Sequence, residues 1–361
     1  MATAIAGLAF VASPALADGL SLDVGGQYRG YVMYSDSDEA TGAANSLREF
    51  DFRNDTEIHF KGETTLDNGL TVGVATEMDL GTDATTRNTD ETYAYFSGGW
   101  GRVNFGLEDG AAYLLQVAAP SADTHVDGMR VRFNSVQNLI VGSLAALNQE
   151  DYANDALRRD MKITYMTPKF NGFQAGVSYV PEVTDANGTV GGNLGNMNGD
   201  ETAADLDNGW EIAGRWDGEF EGVGVSAGLG FVGASEETTN VGGDDYEAWD
   251  AGLNFTFGAF SFGGAYLETN QSTANNADVD VWTLGADWTN GPYTVGATWY
   301  NSDEETGAAT DAEMERFTFG GTYSYGPGMS FRGAVAFGDY EETGLTDTDF
   351  TQITLGTEIK F

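Results

Sequence analysis

Residues 350–361 read FTQITLGTEIKF. Ile353, Leu355, Ile359 and Phe361 share one parity, while Gln352, Thr354, Glu358 and Lys360 hold the other. Successive side chains of a β-strand point to opposite faces, so an apolar face alternating with a polar one is strand chemistry. The pattern recurs upstream. Trp249, Leu253, Phe255 and Phe257 alternate with Asp250, Asn254 and Thr256, and Phe317, Phe319, Tyr323 and Tyr325 alternate with Arg316, Thr318, Thr322 and Ser324.

Between such segments, short and long connections take turns. Seven are tight: Asp67-Asn68-Gly69, Gly98-Gly99-Trp100-Gly101, Lys169-Phe170-Asn171-Gly172, residues 217–222, Gly258-Ala259, Asn290-Gly291-Pro292 and Gly326-Pro327-Gly328. Gly and Asn supply the positive φ that such turns need. Eight are longer and acidic: residues 36–45, 81–89, 109–156, 182–207, 235–245, 271–277, 303–311 and 341–348. Fifteen connections imply sixteen antiparallel strands, with turns at one rim and loops at the other. That is the plan of an all-β transmembrane barrel, and about sixteen strands leave an aqueous lumen. A secreted sandwich or solenoid would also show short strands, but without this rhythm and, for the solenoid, with a fixed repeat. Trp210, Trp216, Trp249, Trp282, Trp288 and Trp299 flank apolar stretches, as interfacial aromatics do.

The composition fits this reading. The chain has 361 residues, a formal charge of -40, 12% aromatic residues, 50 glycines and no cysteine. The aromatic content argues for a folded chain despite the charge. The missing cysteines exclude disulfides and thiol chemistry, and the acidity argues against nucleic-acid binding. Residues 2–12 form a small, apolar run, and Ala15-Leu16-Ala17 fits a signal-peptide cleavage site, so residues 1–17 are expected to be a leader and 18–361 the barrel. No Lys or Arg precedes the run, as it would if the start were truncated.

The third long connection, residues 109–156, contains apolar runs at Tyr113-Leu114-Leu115 and 139–147. Folding back onto the inner wall would bury them, making this a constriction loop. The rival reading turns both runs into strands, for an eighteen-strand barrel. Twelve of the 16 basic residues lie between Arg29 and Lys169. Alternation turns Arg29, Arg53, His59, Lys61, Arg158 and Lys162 inward, while the loop carries Glu108, Asp109, Asp123 and Asp127. A basic wall facing an acidic loop would set a transverse field across the opening. Arg130 and Arg132 mean that the loop's sign is mixed.

Two segments resemble the general porins of Gram-negative bacteria, particularly those of α-proteobacteria. Residues 92–113, TYAYFSGGWGRVNFGLEDGAAY, look like strands four and five leading into the constriction loop. Residues 162–168, KITYMTP, followed by Asn171-Gly172-Phe173 and Gly176-Val177-Ser178-Tyr179, look like the hairpin of strands six and seven. The strand-loop layout extends the likeness over residues 18–361. The resemblance implies an outer-membrane location, passive diffusion of small hydrophilic solutes and ions, a homotrimer, and an eyelet with Arg29, Arg53, Lys61, Arg158 and Lys162 on the wall. Glu108, Asp109, Asp123 and Asp127 would face them from the loop. The Pro-Glu-Phe-Gly-Gly loop motif of enterobacterial members is absent. The C-terminal Phe361 resembles the signal read by the outer-membrane assembly machinery.

Other functions have weaker support. Neither histidine, His59 or His125, lies in a hydrolase or metalloprotease motif, so an outer-membrane enzyme is not expected. Gly222-Val223-Gly224 runs into strand residues instead of opening a helix, which removes a dinucleotide reading. No cofactor is required. Calcium could bind carboxylates such as Asp244 and Asp245, and divalent ions could bridge acidic loops to lipopolysaccharide. A substrate-specific channel and an adhesive surface barrel are the remaining alternatives. The charge of -40 predicts a weak cation preference.

Overall fold

The structure, a computed structural model, describes residues 21–37, 49–80, 88–133, 152–157, 159–183, 206–236, 245–270, 278–306, 310–344 and 347–361. The leader expected at 1–17, the apolar run 139–147, Arg158 and Asp244 lie outside the described residues.

Sixteen antiparallel strands form one closed barrel. They are β1 (Ser21–Ser37), β2 (Phe50–Thr65), β3 (Thr71–Asp79), β4 (Asn88–Gly98), β5 (Gly101–Leu107), β6 (Met161–Met166), β7 (Phe173–Val183) and β8 (Leu206–Phe220). The circuit continues with β9 (Val223–Glu236), β10 (Tyr246–Phe257), β11 (Phe260–Thr269), β12 (Asp278–Asn290), β13 (Tyr293–Thr306), β14 (Thr310–Gly326), β15 (Met329–Glu342) and β16 (Thr348–Lys360). Closure falls on residues 350–361. β16 pairs with β1 from Gln27↔Lys360 to Ser37↔Phe350, and Gly26 and Phe361 exchange backbone hydrogen bonds of 2.9 and 3.0 Å. Every edge is thereby paired, as a chain crossing lipid requires.

The two faces divide as alternation predicts. Leu355 is 61% exposed on the outer surface, while Gln352 is 1% exposed within. Outward aromatics pair across strands at the long-loop end: Tyr179 with Trp210, Phe231 with Trp249, and Tyr266 with Trp282, at ring separations of 4.6, 4.4 and 4.4 Å. Phe220, Phe257, Phe260, Tyr293 and Tyr325 stand exposed beside the tight turns. Two aromatic girdles bracketing an apolar band mark the heights of the membrane interfaces. No helix among the described residues is long and apolar enough to cross a membrane, so the strands make the crossing.

All seven tight turns are present. At Asn171-Gly172 both residues take positive φ, 48° and 83°, as a two-residue hairpin turn demands. Several strands outrun the expected loop boundaries. The turn expected at 217–222 is only Glu221-Gly222, and Asp303, Glu304, Glu305, Asp311, Glu341 and Glu342 lie in strands. Polarity had marked them as loop. Beyond the apolar band a strand faces water on both sides, so charged residues still fit its ladder. The eighteen-strand alternative fails at its first run, which is helix α1 (Ala111–Leu115) inside a sixteen-strand circuit.

Candidate functional site

β5 and β6 are the shortest strands, with seven and six residues, and between them the chain turns inward at Glu108. α1 packs against β7, β8 and β9 and buries Ala111, Ala112 and Leu115. Its first free amides meet the wall: Ala111 N donates to Ser178 Oγ at 2.8 Å and Ala112 N to Glu211 Oε2 at 3.0 Å. A helix begins with unpaired N–H groups, and a carboxylate there satisfies donor and dipole together.

From α1 the loop follows a trough of glycines on the inner wall. Ala111 lies on Gly176, Val117 on Gly228 and Gly252, Pro120 on Gly285, and Ala122 beside Gly296 and Gly320. A β-carbon on Gly252 would stand 2.0 Å from the Val117 carbonyl oxygen, and one on Gly285 would stand 1.9 Å from that of Pro120. No real side chain tolerates such approaches, so these glycines exist for the loop to lie against. Wall side chains then take up loop carbonyls: Asn254 Nδ2 donates to Ala118 O at 2.7 Å, Thr322 Oγ1 to Ala122 O at 2.7 Å, and Arg215 Nη1 to Gln116 O at 3.2 Å. The returning limb is tied to the outgoing one. Gln116 donates to Tyr152 O at 2.7 Å and accepts from Asn154 N at 2.9 Å, while Asn154 Nδ2 reaches Asp250 at 2.7 Å.

The loop's second helix, α2 (Thr124–Asp127), seats on the closing strands. Asp123 caps it, accepting from His125 N at 3.1 Å, and also accepts from Tyr31 Oη at 2.7 Å and Arg332 Nη1 at 2.8 Å. Arg332 Nη2 continues to Glu358 at 2.5 Å, and His125 Nε2 lies 3.2 Å from the same carboxylate. Burial holds the His125 imidazole below its ordinary pKa, and the Arg332 and Arg29 charges add to that against the Glu358 bond. Asp127 accepts from Ser121 and from Thr298 Oγ1, yet burial pushes its carboxyl up to about 6.

These contacts revise the expected polarity. Glu108, Asp109, Asp123 and Asp127 are all buried. They hold the loop in place and are not its lumen face. Glu108 accepts from Asn104, and burial pushes it up to about 7. Asp109 accepts two bonds from Arg130, which also pairs with Asp155 and lies 3.9 Å over the Tyr113 ring, stapling the loop's start to its end. The loop's more open charges among the described residues include guanidiniums. Arg132 lies 3.4 Å from both Asp55 and Glu57 of β2, and Arg159 lies 2.5 Å from Asp90 and 3.5 Å from Glu91 of β4. Here a basic loop edge meets an acidic wall, the reverse of the expected arrangement.

The expected wall bases part company. Arg29 faces inward but is buried in pairs with Asp55 at 2.5 Å, Glu57 at 3.0 Å and Glu358 at 3.6 Å. Arg53 shares the lumen parity but stands half exposed, with Asp51 at 3.3 Å, above that cluster along the strand. Lys61 lines the wall with Glu63 at 3.1 Å and, together with Arg102, faces the Tyr95 ring. Lys162 is 3% exposed, sealed between wall and loop, with Leu157 O at 3.3 Å and Glu211 at 3.8 Å. Asp245 is exposed, and its backbone carbonyl accepts from Asn270. Glu57, Glu77, Glu358, Arg159 and Arg332 were not singled out by the sequence. Strand parity places Glu57 with Arg53 and puts Glu358 inward, so both were within reach of the same rule.

A closed sixteen-strand barrel with aromatic girdles and an inward third loop defines an outer-membrane channel-type barrel. The chain belongs to the Gram-negative porin family, whose profile matches residues 2–343. It is 25% identical over 281 residues to outer membrane porin N of Escherichia coli K12, covering 74% of this chain and 66% of that protein, just under two thirds of its length. It is 24% identical over 161 residues to an uncharacterized Rickettsia typhi protein, across 40% of this chain and 36% of that one. Among solved structures it resembles an anion-selective porin from Comamonas acidovorans, with TM-score 0.66, 17% identity and coverage of 95% and 100% of the two chains. It also resembles Salmonella typhi OmpF in complex with daunomycin, with TM-score 0.67, 17% identity and coverage of 96% and 99%. At these identities the structural likeness speaks to the fold. The family places the chain in the outer membrane.

Proposed function

We propose that this protein is a non-enzymatic diffusion channel, passing small hydrophilic solutes and ions through a water-filled lumen narrowed by the loop at 109–156. The carrying observation is the docked loop: a glycine trough seats it, and Arg132 on its edge and Arg159 just past its end face the carboxylates of β2 and β4. The eyelet we propose comprises Arg132, Arg159, Asp55, Glu77, Glu91 and Lys61, with the buried Glu57 behind Arg132. This set replaces the wall of Arg29, Arg53 and Lys162 and the loop face of Glu108, Asp109, Asp123 and Asp127, while Arg158 lies outside the described residues. Each eyelet guanidinium has at least two carboxylates beside it, which supports a weak cation preference. Homotrimer assembly, contact of the acidic loops with lipopolysaccharide, and calcium at Asp244 and Asp245 belong to the same proposal.

Planar-bilayer recording tests it. Purified protein should give stable conductance steps, and a salt gradient should give reversal potentials of cation-selective sign. A sealed adhesive barrel would pass no steady current. Saturable block by one sugar or peptide would favour a substrate-specific channel, and an anion-selective reversal potential would overturn the cation preference.

A further inference from the structure

The β2–β3 wall carries a group of residues that charge pairing does not fully explain. His59 sits two residues from Glu57 on the same face of β2 and directly opposite Glu77 on β3. Its Nδ1 lies 2.9 Å from Glu77 Oε2. That bond orients the ring and turns Nε2 toward Glu57, so an ion bound there takes the place of the Nε2 proton. Nε2 is buried, has no hydrogen-bond partner, and lies 3.5 Å from Glu57 Oε2. One ligand atom from each of Glu57, His59 and Glu77 can be drawn from within 4.8 Å of the others.

Those spacings match a metal's needs. Ligand atoms at about 2.1 Å from a tetrahedral ion stand about 3.4 Å from one another. An imidazole that binds through Nε2 and donates Nδ1–H to a carboxylate is the usual orienting arrangement around such an ion. We infer that Glu57 and His59, oriented by Glu77, form a binding site for a divalent transition-metal ion of the zinc class in the pore wall. The ion takes the Nε2 lone pair and a Glu57 oxygen, and its remaining positions carry water. Glu57 also pairs with Arg29 at 3.0 Å and Arg132 at 3.4 Å and accepts from the Gln27 amide, and the two cations and this competing donor limit the affinity. Arg132 links the site to the constriction loop, so occupancy alters current. The inference rests on the aqueous-channel reading, since the ion must enter from the lumen.

Two readouts test it. Zinc added to the porin in a bilayer should reduce conductance saturably, whereas magnesium at the same concentration should not, because imidazole selects the softer ion. Cobalt titration of the detergent-solubilised protein should give visible absorption bands of low-symmetry coordination, independent of any current. His59→Asn should raise the half-blocking zinc concentration at least tenfold and abolish the cobalt spectrum. Glu77→Gln, which keeps the imidazole, should raise it by about tenfold. His125→Asn, which removes the only other histidine, should leave the cobalt spectrum in place. Equal block by magnesium, or an unchanged response in His59→Asn channels, would overturn the site. Absence of conductance in the parent protein would instead count against the channel reading, and the cobalt spectrum would still report on the site.

Discussion

At the residue scale, position along a strand separates charges of equal parity. Arg53 and Arg132 both face the lumen side, but Arg53 pairs near the rim with Asp51, whereas Arg132 leans from the loop onto Asp55 and Glu57. Coulomb energy at about 4 Å is about 1 kcal/mol even at the dielectric of water, a factor of about five in ion partition. Arg132→Ala should therefore raise the cation-to-anion permeability ratio several-fold, and Arg53→Ala should change it much less. Reversal potentials under a potassium chloride gradient measure both, and equal shifts would remove Arg132 from the eyelet. Lys162 teaches the complementary point. Alternation turned it inward correctly, but only the packed loop reveals that inward means sealed against Glu211 and Leu157 instead of wet.

At the element scale, the third loop depends on backbone contact more than on charge. A β-carbon at Gly285 would collide with Pro120 O, and overpacking of this kind typically costs 1–3 kcal/mol. Gly285→Val should unseat the loop while the hydrogen-bonded barrel persists. The expected result is larger, noisier single-channel conductance with an unchanged β-sheet signal in circular dichroism; parental conductance would contradict it. Acidity should act the other way at α2. Asp127 sits at about 6 when docked, mainly through burial and against its bonds to Ser121 and Thr298, above the roughly 3.9 of a free aspartate. The docked state holds the proton more tightly, so docking is strongest at acid pH and weakens as pH rises from about 4 through 6. Hydrogen exchange at the α2 amides, corrected for intrinsic rates, should show more protection at pH 5 than at pH 8. Asp127→Asn should shrink that difference, leaving the contribution of Glu108, which acts in the same direction, and that of His125, which opposes it. The strands behind these events were legible because period two survives in the lipid-facing half of each one. The loop's seat was not. Gly176, Gly228, Gly252 and Gly285 read as ordinary strand glycines until a second segment is laid across them. The loop acids were assigned to water because a charge in a loop usually is solvated, whereas here the lumen wall supplies partners that make burial affordable.

At the scale of the whole molecule, two sources of selectivity compete. One is the diffuse field of a chain whose formal charge is -40, much of it in the acidic connections at the long-loop rim. The other is the short-range arrangement of Arg132, Arg159 and their carboxylates. Salt separates them, because the Debye length is about 10 Å at 0.1 M and about 3 Å at 1 M. Rim charges act on an ion in mid-lumen across more than the shorter length, whereas eyelet groups touch it. The wall pairs already lie within 3.6 Å of each other, so added salt barely screens them, but each guanidinium offsets most of the charge beside it and leaves only a small negative excess. Cation preference should accordingly come mostly from the diffuse field. Permeability ratios measured at a fixed concentration gradient should fall toward unity as the mean salt rises from 0.1 to 1 M. Entry of neutral sugars, followed by liposome swelling, should keep its size cutoff over the same range, since steric exclusion by the docked loop has no charge to screen. A permeability ratio that stayed constant across that range would assign selectivity to the eyelet pairs, and Arg132→Ala would then raise the salt-independent part.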